Sequence, residues 1–327
     1  MSLIFRGFFD SWVRTRGKTK SHSVRGKDIM TVVMRYVVAT CTSMCFSIAA
    51  AGVIDADLPA ISYVSFESPN LLFPDEPLTI SGQLRIPTGK SQEVGADLIQ
   101  NGIPAVIVLH GSAGIDSRGD LYVEALNEAG IATLEIDMWA ARGLSGGGDR
   151  PDSPTLTVPD AFSALNYLAE NPAIDSNQIG IIGFSWGGVV TMLAATGDYT
   201  DLYGEGLSFA AYVANYPVCW AYSAGIPGIF FDDLTENPVL IQIGDHDDYD
   251  DGSGPCEALA APFSNVSVNV YNNSYHAWDR LQPEMTVTDP YAHQGAGGEV
   301  EIVPNSGEAF QSRSNVIQFF EENLRTE

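Results

Sequence analysis

The stretch Ile179-Gly180-Ile181-Ile182-Gly183-Phe184-Ser185-Trp186-Gly187-Gly188 is an apolar run ending in a serine flanked by glycines, and a second apolar segment continues to about Ala195. The first half is short and rich in isoleucine and reads as a strand; the second reads as a helix from Ser185. A serine at the junction, with glycine two residues before and two after, marks a sharp strand-to-helix turn. Such a turn forces the serine into strained backbone angles and brings neighbouring backbone so close that side chains at 183 and 187 would clash. Ser185 then stands at a helix N-terminus, where the dipole and free N–H groups favour developing negative charge. The five-residue pattern alone is weak, and a helix-capping serine is the competing reading. Strand before and helix after make Ser185 a candidate nucleophile.

The same rhythm runs from about residue 104 to the C-terminus. Segments 104–109, 131–136, 209–216, 239–243 and 266–271 are short apolar runs, while 120–129, 158–170 and 309–324 carry helical spacing. Strands alternating with helices imply an α/β fold with a mostly parallel central sheet and helices on both faces. Two earlier alternating segments, 62–66 and 78–86, suggest an antiparallel edge. Segments 142–156 and 282–306 are rich in Gly, Pro and polar residues and read as loops beside the site. Open parallel sheets bind ligands at the carboxyl ends of their strands. His110-Gly111, Ser185 and the acidic run 245–251 each follow a strand there.

A serine hydroxyl is a poor nucleophile until a base takes its proton, and five histidines are available. His22 lies in the basic N-terminal segment and His246 within the acidic run. His110 sits at a strand end, a candidate for structure, for the oxyanion loop or for substrate binding. His276 follows the last apolar run, where the order nucleophile, acid, base places the base; His293 lies deep in a glycine-rich loop. His276 is therefore the expected base. The acid belongs between, in Ile241-Gln-Ile-Gly244-Asp-His-Asp-Asp-Tyr-Asp-Asp-Gly252, which offers five aspartates. The turn after Gly244 makes Asp247 the first choice, with Asp248 and Asp245 behind it. Its carboxylate would orient the imidazole and stabilise imidazolium. The backbone N–H groups of Ser112 and Trp186 are expected to form the oxyanion hole. The aspartate run departs from an EF-hand, because Tyr249 takes a ligand position and the twelfth-position glutamate is missing. Another calcium geometry is the competing reading of that cluster. No close histidine or cysteine pair follows residue 51, so neither zinc nor any other metal or cofactor is expected.

The chain has 327 residues, 45% of them hydrophobic, which suffices for a large core. Residues 1–51 carry eight basic side chains against Asp10 and Asp28, leaving −31 of the −25 total to residues 52–327, where Lys90 is the one lysine. A surface that acidic repels nucleic acid and anionic membranes, so neither is an expected partner once the N-terminal segment is gone. In that segment a basic stretch leads to an apolar run over 36–51 ending in Ala49-Ala50-Ala51. It reads as an export leader with an A-x-A-like cleavage site, with Met30 or Met34 as alternative starts. The expectation is a leader over 1–51 and one domain over 52–327, located in a periplasm or outside the cell. An uncleaved membrane tether, or a lipid anchor on Cys41 or Cys45, is the alternative. Beyond the leader only Cys219 and Cys256 remain, either as one disulfide or as two buried thiols.

With those residues assembled, the chain resembles the dienelactone hydrolase family of the α/β-hydrolase superfamily, in its exported branch, from about residue 77 onward. The resemblance rests on Val108-Leu-His-Gly-Ser-Ala-Gly-Ile115, Asp137-Met-Trp-Ala-Ala-Arg-Gly143, the stretch around Ser185, Gly244-Asp-His-Asp-Asp248 and Tyr275-His-Ala-Trp-Asp279. It implies an α/β-hydrolase fold and maps nucleophile, acid and base onto Ser185, Asp247 and His276. The namesake enzymes carry cysteine where this chain has Ser185. The resemblance therefore implies general hydrolysis of carboxylic esters or lactones, as small-molecule substrates, through an acyl-enzyme, rather than the namesake substrate. Arg142, in the Trp-x-x-Arg-Gly segment, is a candidate for binding a substrate carboxylate or for bracing a loop. Acyl transfer or peptide cleavage by the same three residues, and a non-catalytic binding role on this fold, are the alternatives.

Overall fold

The apolar runs assemble into an eight-stranded sheet in the order β1-β2-β4-β3-β5-β6-β7-β8. The computed structural model describes residues 58–88 and 102–324, which belong to the unit Ala56–Glu327; the leader, with Met30, Met34, Cys41 and Cys45, lies outside the described residues. The strands are β1 (Ala60–Ser68), β2 (Leu78–Ile86), β3 (Ile103–Leu109), β4 (Ala132–Asp137), β5 (Ile174–Phe184), β6 (Ala211–Asn215), β7 (Val239–His246) and β8 (Val266–Tyr275). From β4 through β8 every pair is parallel, while β1 and β2 form the antiparallel edge read from their alternation. Central β5 is continuously buried over its last seven residues, as a strand covered on both faces must be.

The helices are α1 (Ser117–Glu128), α2 (Val158–Ala169), α3 (Trp186–Ala194), α4 (Gly197–Tyr203), α5 (Gly254–Ala260) and α6 (Ser306–Leu324). Two glycines of β5 show which face each helix takes. A Cβ on Gly180 would meet Phe320 and Leu324 of α6, whereas one on Gly183 would meet Gly187 and Thr191 of α3. Residues three apart on a strand point to opposite faces, so α6 and α3 lie on opposite sides of the sheet. Helix α1 packs with α6, and α2 with α3. All nine residues of α3 are buried, which is why this helix is apolar all round. Among the described residues no helix is long and apolar enough to cross a membrane.

Segment 282–306 differs from its reading as a loop. It holds an antiparallel pair, β9 (Met285–Asp289) and β10 (Gly298–Ile302), in which Val287 faces Val300. Thr-Val-Thr and Glu-Val-Glu alternate with period two, and Val300 packs with Tyr249 and Ala292 in a small separate cluster. The glycines that suggested a loop, Gly295, Gly297 and Gly298, lie in the connection and at the first residue of β10, at positive φ. Segment 142–156 is a loop, closed by a short 3-10 turn at Pro154–Thr157.

Cys219 and Cys256 are joined in a disulfide, so the two-thiol alternative does not hold. Their separation of 37 residues restricts the unfolded chain by about 4 kcal/mol in the chain-entropy account. The bond ties α5 to the 3-10 turn Cys219–Ser223.

One buried acid sets a pH dependence for this fold. Glu135 of β4 is 8% exposed and points at α1 where Gly119 leaves room, since a Cβ there would collide with its carboxylate. Burial, then the charge of Asp120, raises its pKa to about 7, against an opposing pull from Arg85. The folded pKa thus lies above the unfolded one. Stability from the neutral form is complete below about pH 4.5 and is lost as the pH rises through 7. Glu135→Gln is expected to raise unfolding stability by ~1–3 kcal/mol at pH 8 and by little at pH 4, measured by urea denaturation at both. An equal gain at the two pH values would contradict the buried-charge account.

Candidate active site

Ser185 follows β5 and caps α3 with φ 51° and ψ −107°, a region that non-glycine residues seldom occupy. Strain of this kind costs ~1–3 kcal/mol and survives only where the surroundings over-determine it. They do here. The Ser185 N–H donates to the Asn215 carbonyl at 2.9 Å, and the Ser185 carbonyl accepts from Val189 at 2.8 Å. A Cβ on Gly183 would collide with the Gly187 carbonyl, and one on Gly187 with the Leu109 carbonyl. The serine is lifted off the sheet end because the strand and the helix approach at van der Waals distance beneath it.

Three side chains meet at the carboxyl ends of β5, β7 and β8. His276 Nε2 lies 2.9 Å from Ser185 Oγ, and His276 Nδ1 lies 2.8 Å from Asp247 Oδ2. An ionised carboxylate only accepts hydrogen bonds, so Nδ1 carries the proton and Nε2 is left to accept from the serine hydroxyl. The other Asp247 oxygen accepts the Tyr249 N–H at 2.9 Å. All three residues are buried. The rings of Tyr249 and Tyr216 flank the imidazole at 4.4 and 4.8 Å between centroids. Such a chain can remove the serine proton, hold the resulting imidazolium and return the proton to a leaving group.

The other aspartates of the acidic run are committed elsewhere. Asp245 bonds His246 and the Ser274 N–H, and Asp248 accepts the Glu301 N–H. Asp251 pairs with His293, removing that histidine from the base role. Asp250 is buried and accepts the N–H groups of Cys219 and Trp220 at 2.8 and 2.7 Å. A second carboxylate lies beneath the site. Asp279, fully buried, accepts from Tyr216 Oη at 2.6 Å, Tyr122 Oη at 2.8 Å and Asn215 Nδ2 at 3.2 Å. Burial raises its pKa, opposed by these donors and by Arg118. Because Asn215 also holds the Ser185 N–H, this network joins the floor under His276 to the serine backbone.

Ser185 opens on a cavity with two lobes. The first, about 280 Å³, is walled by Trp186, Val189, Val218, Ala221, Ile226 and Ile229. The second, about 460 Å³, runs past His276 towards Arg118, Arg280, Val287 and Tyr291. Ser112 lines both lobes beside Ser185, and Trp186 borders the first.

The two candidates for substrate contact are braces instead. His110 is 3% exposed; its Nε2 accepts the Met138 N–H at 3.0 Å, so Nδ1 donates to the Gly111 carbonyl at 2.8 Å. Burial pushes its pKa down to about 4, which keeps it neutral. It locks the ends of β3 and β4 together. Arg142 spends both terminal nitrogens on Asp160, at 2.7 and 3.2 Å, and on the carbonyls of Met138 and Leu156. Asp160 is fully buried and also accepts from Ser68. All four terminal N–H groups of the guanidinium are thus spent on the fold, and Arg142 lies outside the walls of both catalytic lobes.

Arg150 went unmarked in the sequence although it lines both lobes. It pairs with Asp289 at 2.6 Å and lies against the rings of Trp186 and Tyr291. Asp289 also accepts from Tyr249 Oη and the Tyr291 N–H. The one hint was an arginine after a run of glycines in a very acidic chain, since its partner lies 139 residues away.

A model of the dienelactone hydrolase family matches residues 98–322. An uncharacterized 31.7 kDa protein from the traX-finO intergenic region of Escherichia coli is 34% identical over 98 residues, 29% of this chain and 33% of that protein. The match thus spans about a third of that relative's length. Among solved structures, a dienelactone hydrolase from Anabaena variabilis superposes with a TM-score of 0.51 at 18% identity, covering 82% of this chain and 100% of that one. An esterase of Pyrococcus furiosus gives 0.51 at 17% identity, covering 81% and 94%. At such identities the structural likeness shows the fold.

Removing Arg142 separates the two readings of that residue. Arg142→Ala leaves the Asp160 carboxylate buried without its cation, and is expected to lower unfolding stability by ~3 kcal/mol. The measurement is a denaturant midpoint alongside KM for a neutral and an acidic ester. A selective rise in KM for the acidic ester at unchanged stability would restore the substrate-binding role.

Proposed function

The chain belongs to the dienelactone hydrolase family, and from that premise we propose that it is an ester-bond hydrolase acting on carboxylic esters or lactones through an acyl-enzyme on Ser185. The observation that carries this reading is the unbroken hydrogen-bond chain from Ser185 Oγ through His276 to Asp247, built on a strained serine. His276 Nε2 takes the hydroxyl proton as Oγ attacks the ester carbonyl carbon. The tetrahedral oxyanion is held by the backbone N–H groups of Ser112 and Trp186, at the start of α3 where the helix dipole adds to them. Asp247 keeps Nδ1 protonated and stabilises the imidazolium. His276 then gives its proton to the departing alkoxide, leaving the acyl group on Ser185. Water, deprotonated by the same nitrogen, attacks the acyl carbon, and the acid leaves as Oγ recovers its proton.

A hydroxyl in place of the namesake thiol makes this base indispensable, because serine has no accessible anionic form near neutral pH. The apolar wall of the first lobe suits an uncharged acyl or alcohol group. The buried disulfide supports export, since such bonds persist in oxidising compartments. The leader reading of residues 1–51 is part of the same proposal, as is a membrane-free, nucleic-acid-free working state.

Hydrolysis of a short nitrophenyl ester by wild type, Ser185→Ala, Asp247→Asn, Asp245→Asn and Asp248→Asn tests the proposal. Ser185→Ala is expected to lose on the order of ten-thousandfold in kcat and Asp247→Asn about a thousandfold or more. The two other asparagine variants should stay within about tenfold of wild type. Equal activity of wild type and Ser185→Ala would remove the nucleophile. A larger loss at Asp245 or Asp248 than at Asp247 would reassign the acid.

A further inference from the structure

Beside the catalytic cavity lies a second concavity of about 570 Å³, formed by the β1–β2 connection, the loop after Arg142 and the 3-10 turn before α2. Arg150 and Asp152 belong to its wall and to the walls of both catalytic lobes, so the concavity and the lobes share a border. Its rim carries Leu71, Leu72 and Phe73, with Leu72 65% and Phe73 61% exposed. Leu78, Leu144 and Leu156 also line it, together with the polar Asn70, Glu76, Arg142 and Asp152. Three consecutive large apolar side chains held in solvent are unfavourable unless something covers them. They are held there by a built turn: Asn70 Oδ1 accepts the N–H groups of Leu72 and Phe73, and the Glu76 N–H donates to the Phe73 carbonyl. The two cations on this surface are both committed, Arg142 to Asp160 and two carbonyls and Arg150 to Asp289, and the wall also holds Glu76 and Asp152, so the concavity makes no demand for an anion.

We infer that this groove is an outer subsite for an alkyl chain of the substrate, entered across the Arg150–Asp152 border while the ester group sits at Ser185. The inference rests on the ester-hydrolase reading above. The first lobe, at about 280 Å³, takes a short group, and the groove receives what extends beyond the cavity on the other side of the border. Substrates are then esters with a medium or long apolar chain. That chain is carried by either the acyl or the alcohol part, the chemistry presented to the groove being the same.

The test uses the full chain and two ester series: nitrophenyl alkanoates from butanoate to decanoate, and alkyl acetates from butyl to decyl, below their aggregation limits. The readout is the ratio of kcat/KM for the ten-carbon to the four-carbon member. In wild type the ratio is expected to exceed one in at least one series. The double variant Leu72→Asp with Phe73→Asp, both exposed, should lower that ratio about tenfold, because it replaces the apolar rim by two charges. Leu202→Asp, an equally exposed leucine on α4 outside the groove, should change it by no more than about twofold. The series that responds identifies which side of the ester enters the groove. An unchanged ratio in both series overturns the subsite, as does an equal fall with Leu202→Asp, which would mean general surface partitioning or self-association. Loss of the underlying reading looks different: no ester in either series would then depend on Ser185.

Discussion

The left-handed backbone at Ser185 is the constraint around which the rest of the molecule is arranged. Strand β5 must end and helix α3 begin within one residue, and the chain can do so only where neighbouring backbone comes into contact. Gly183 and Gly187 supply that contact by having no Cβ to collide with the Gly187 and Leu109 carbonyls. The Ser185 N–H then reaches Asn215 on β6, and Asn215 reaches the buried Asp279. Asp279 in turn holds Tyr216, whose ring lies edge-on to His276. Ser185 backbone, sheet end and imidazole support thus form one polar unit inside an apolar core, whose burial is tolerated only with every member hydrogen-bonded.

The acidic loop after β7 solves a problem that the net charge creates. Five aspartates in seven residues repel one another, yet each carboxylate finds a separate set of donors. Asp247 takes His276 and a backbone N–H. Asp250 takes two backbone N–H groups, although burial and the nearby Asp247 charge raise its pKa. Asp245, Asp248 and Asp251 turn outward to a histidine or to the hairpin. The donors come from Cys219, Ser274, His293 and Glu301, so the loop gathers four distant segments around the site. The Cys219–Cys256 bridge anchors one of these, the 3-10 turn that walls the first cavity lobe. The β9–β10 hairpin supplies another and carries Asp289, the partner of Arg150.

Much of this was legible along the chain because it depends on local chemistry. Period-two and period-3.6 apolar patterns, a Gly-x-Ser-x-Gly at a strand-to-helix junction and a histidine after the last apolar strand each report on neighbours within a few residues. They determined the parallel α/β sheet and its antiparallel edge, and singled out Ser185 and His276, which the fold brings within hydrogen-bond distance. They also pointed to one loop for the carboxylate facing His276, because chain order and strand-end position are properties of the sequence.

The turn after Gly244 pointed to Asp247 ahead of Asp248 and Asp245, but it is the register between β7 and β8, pairing His246 with Tyr275, that brings Asp247 rather than a neighbour against His276. The same holds for Arg142 and Arg150. Both are arginines in glycine-containing loops, yet one is consumed by Asp160 18 residues away while the other borders the cavity through Asp289, 139 residues away. His110 is likewise a brace because β4 brings the Met138 N–H to its ring. The hairpin in 282–306 forms because its valines find a partner in Tyr249, which no local pattern contains. Hydrophobic periodicity and steric turns act over neighbouring residues and are written in the sequence. Hydrogen-bond and ion-pair partners are chosen by which distant segments the fold brings within about 3 Å, and only the folded chain decides that.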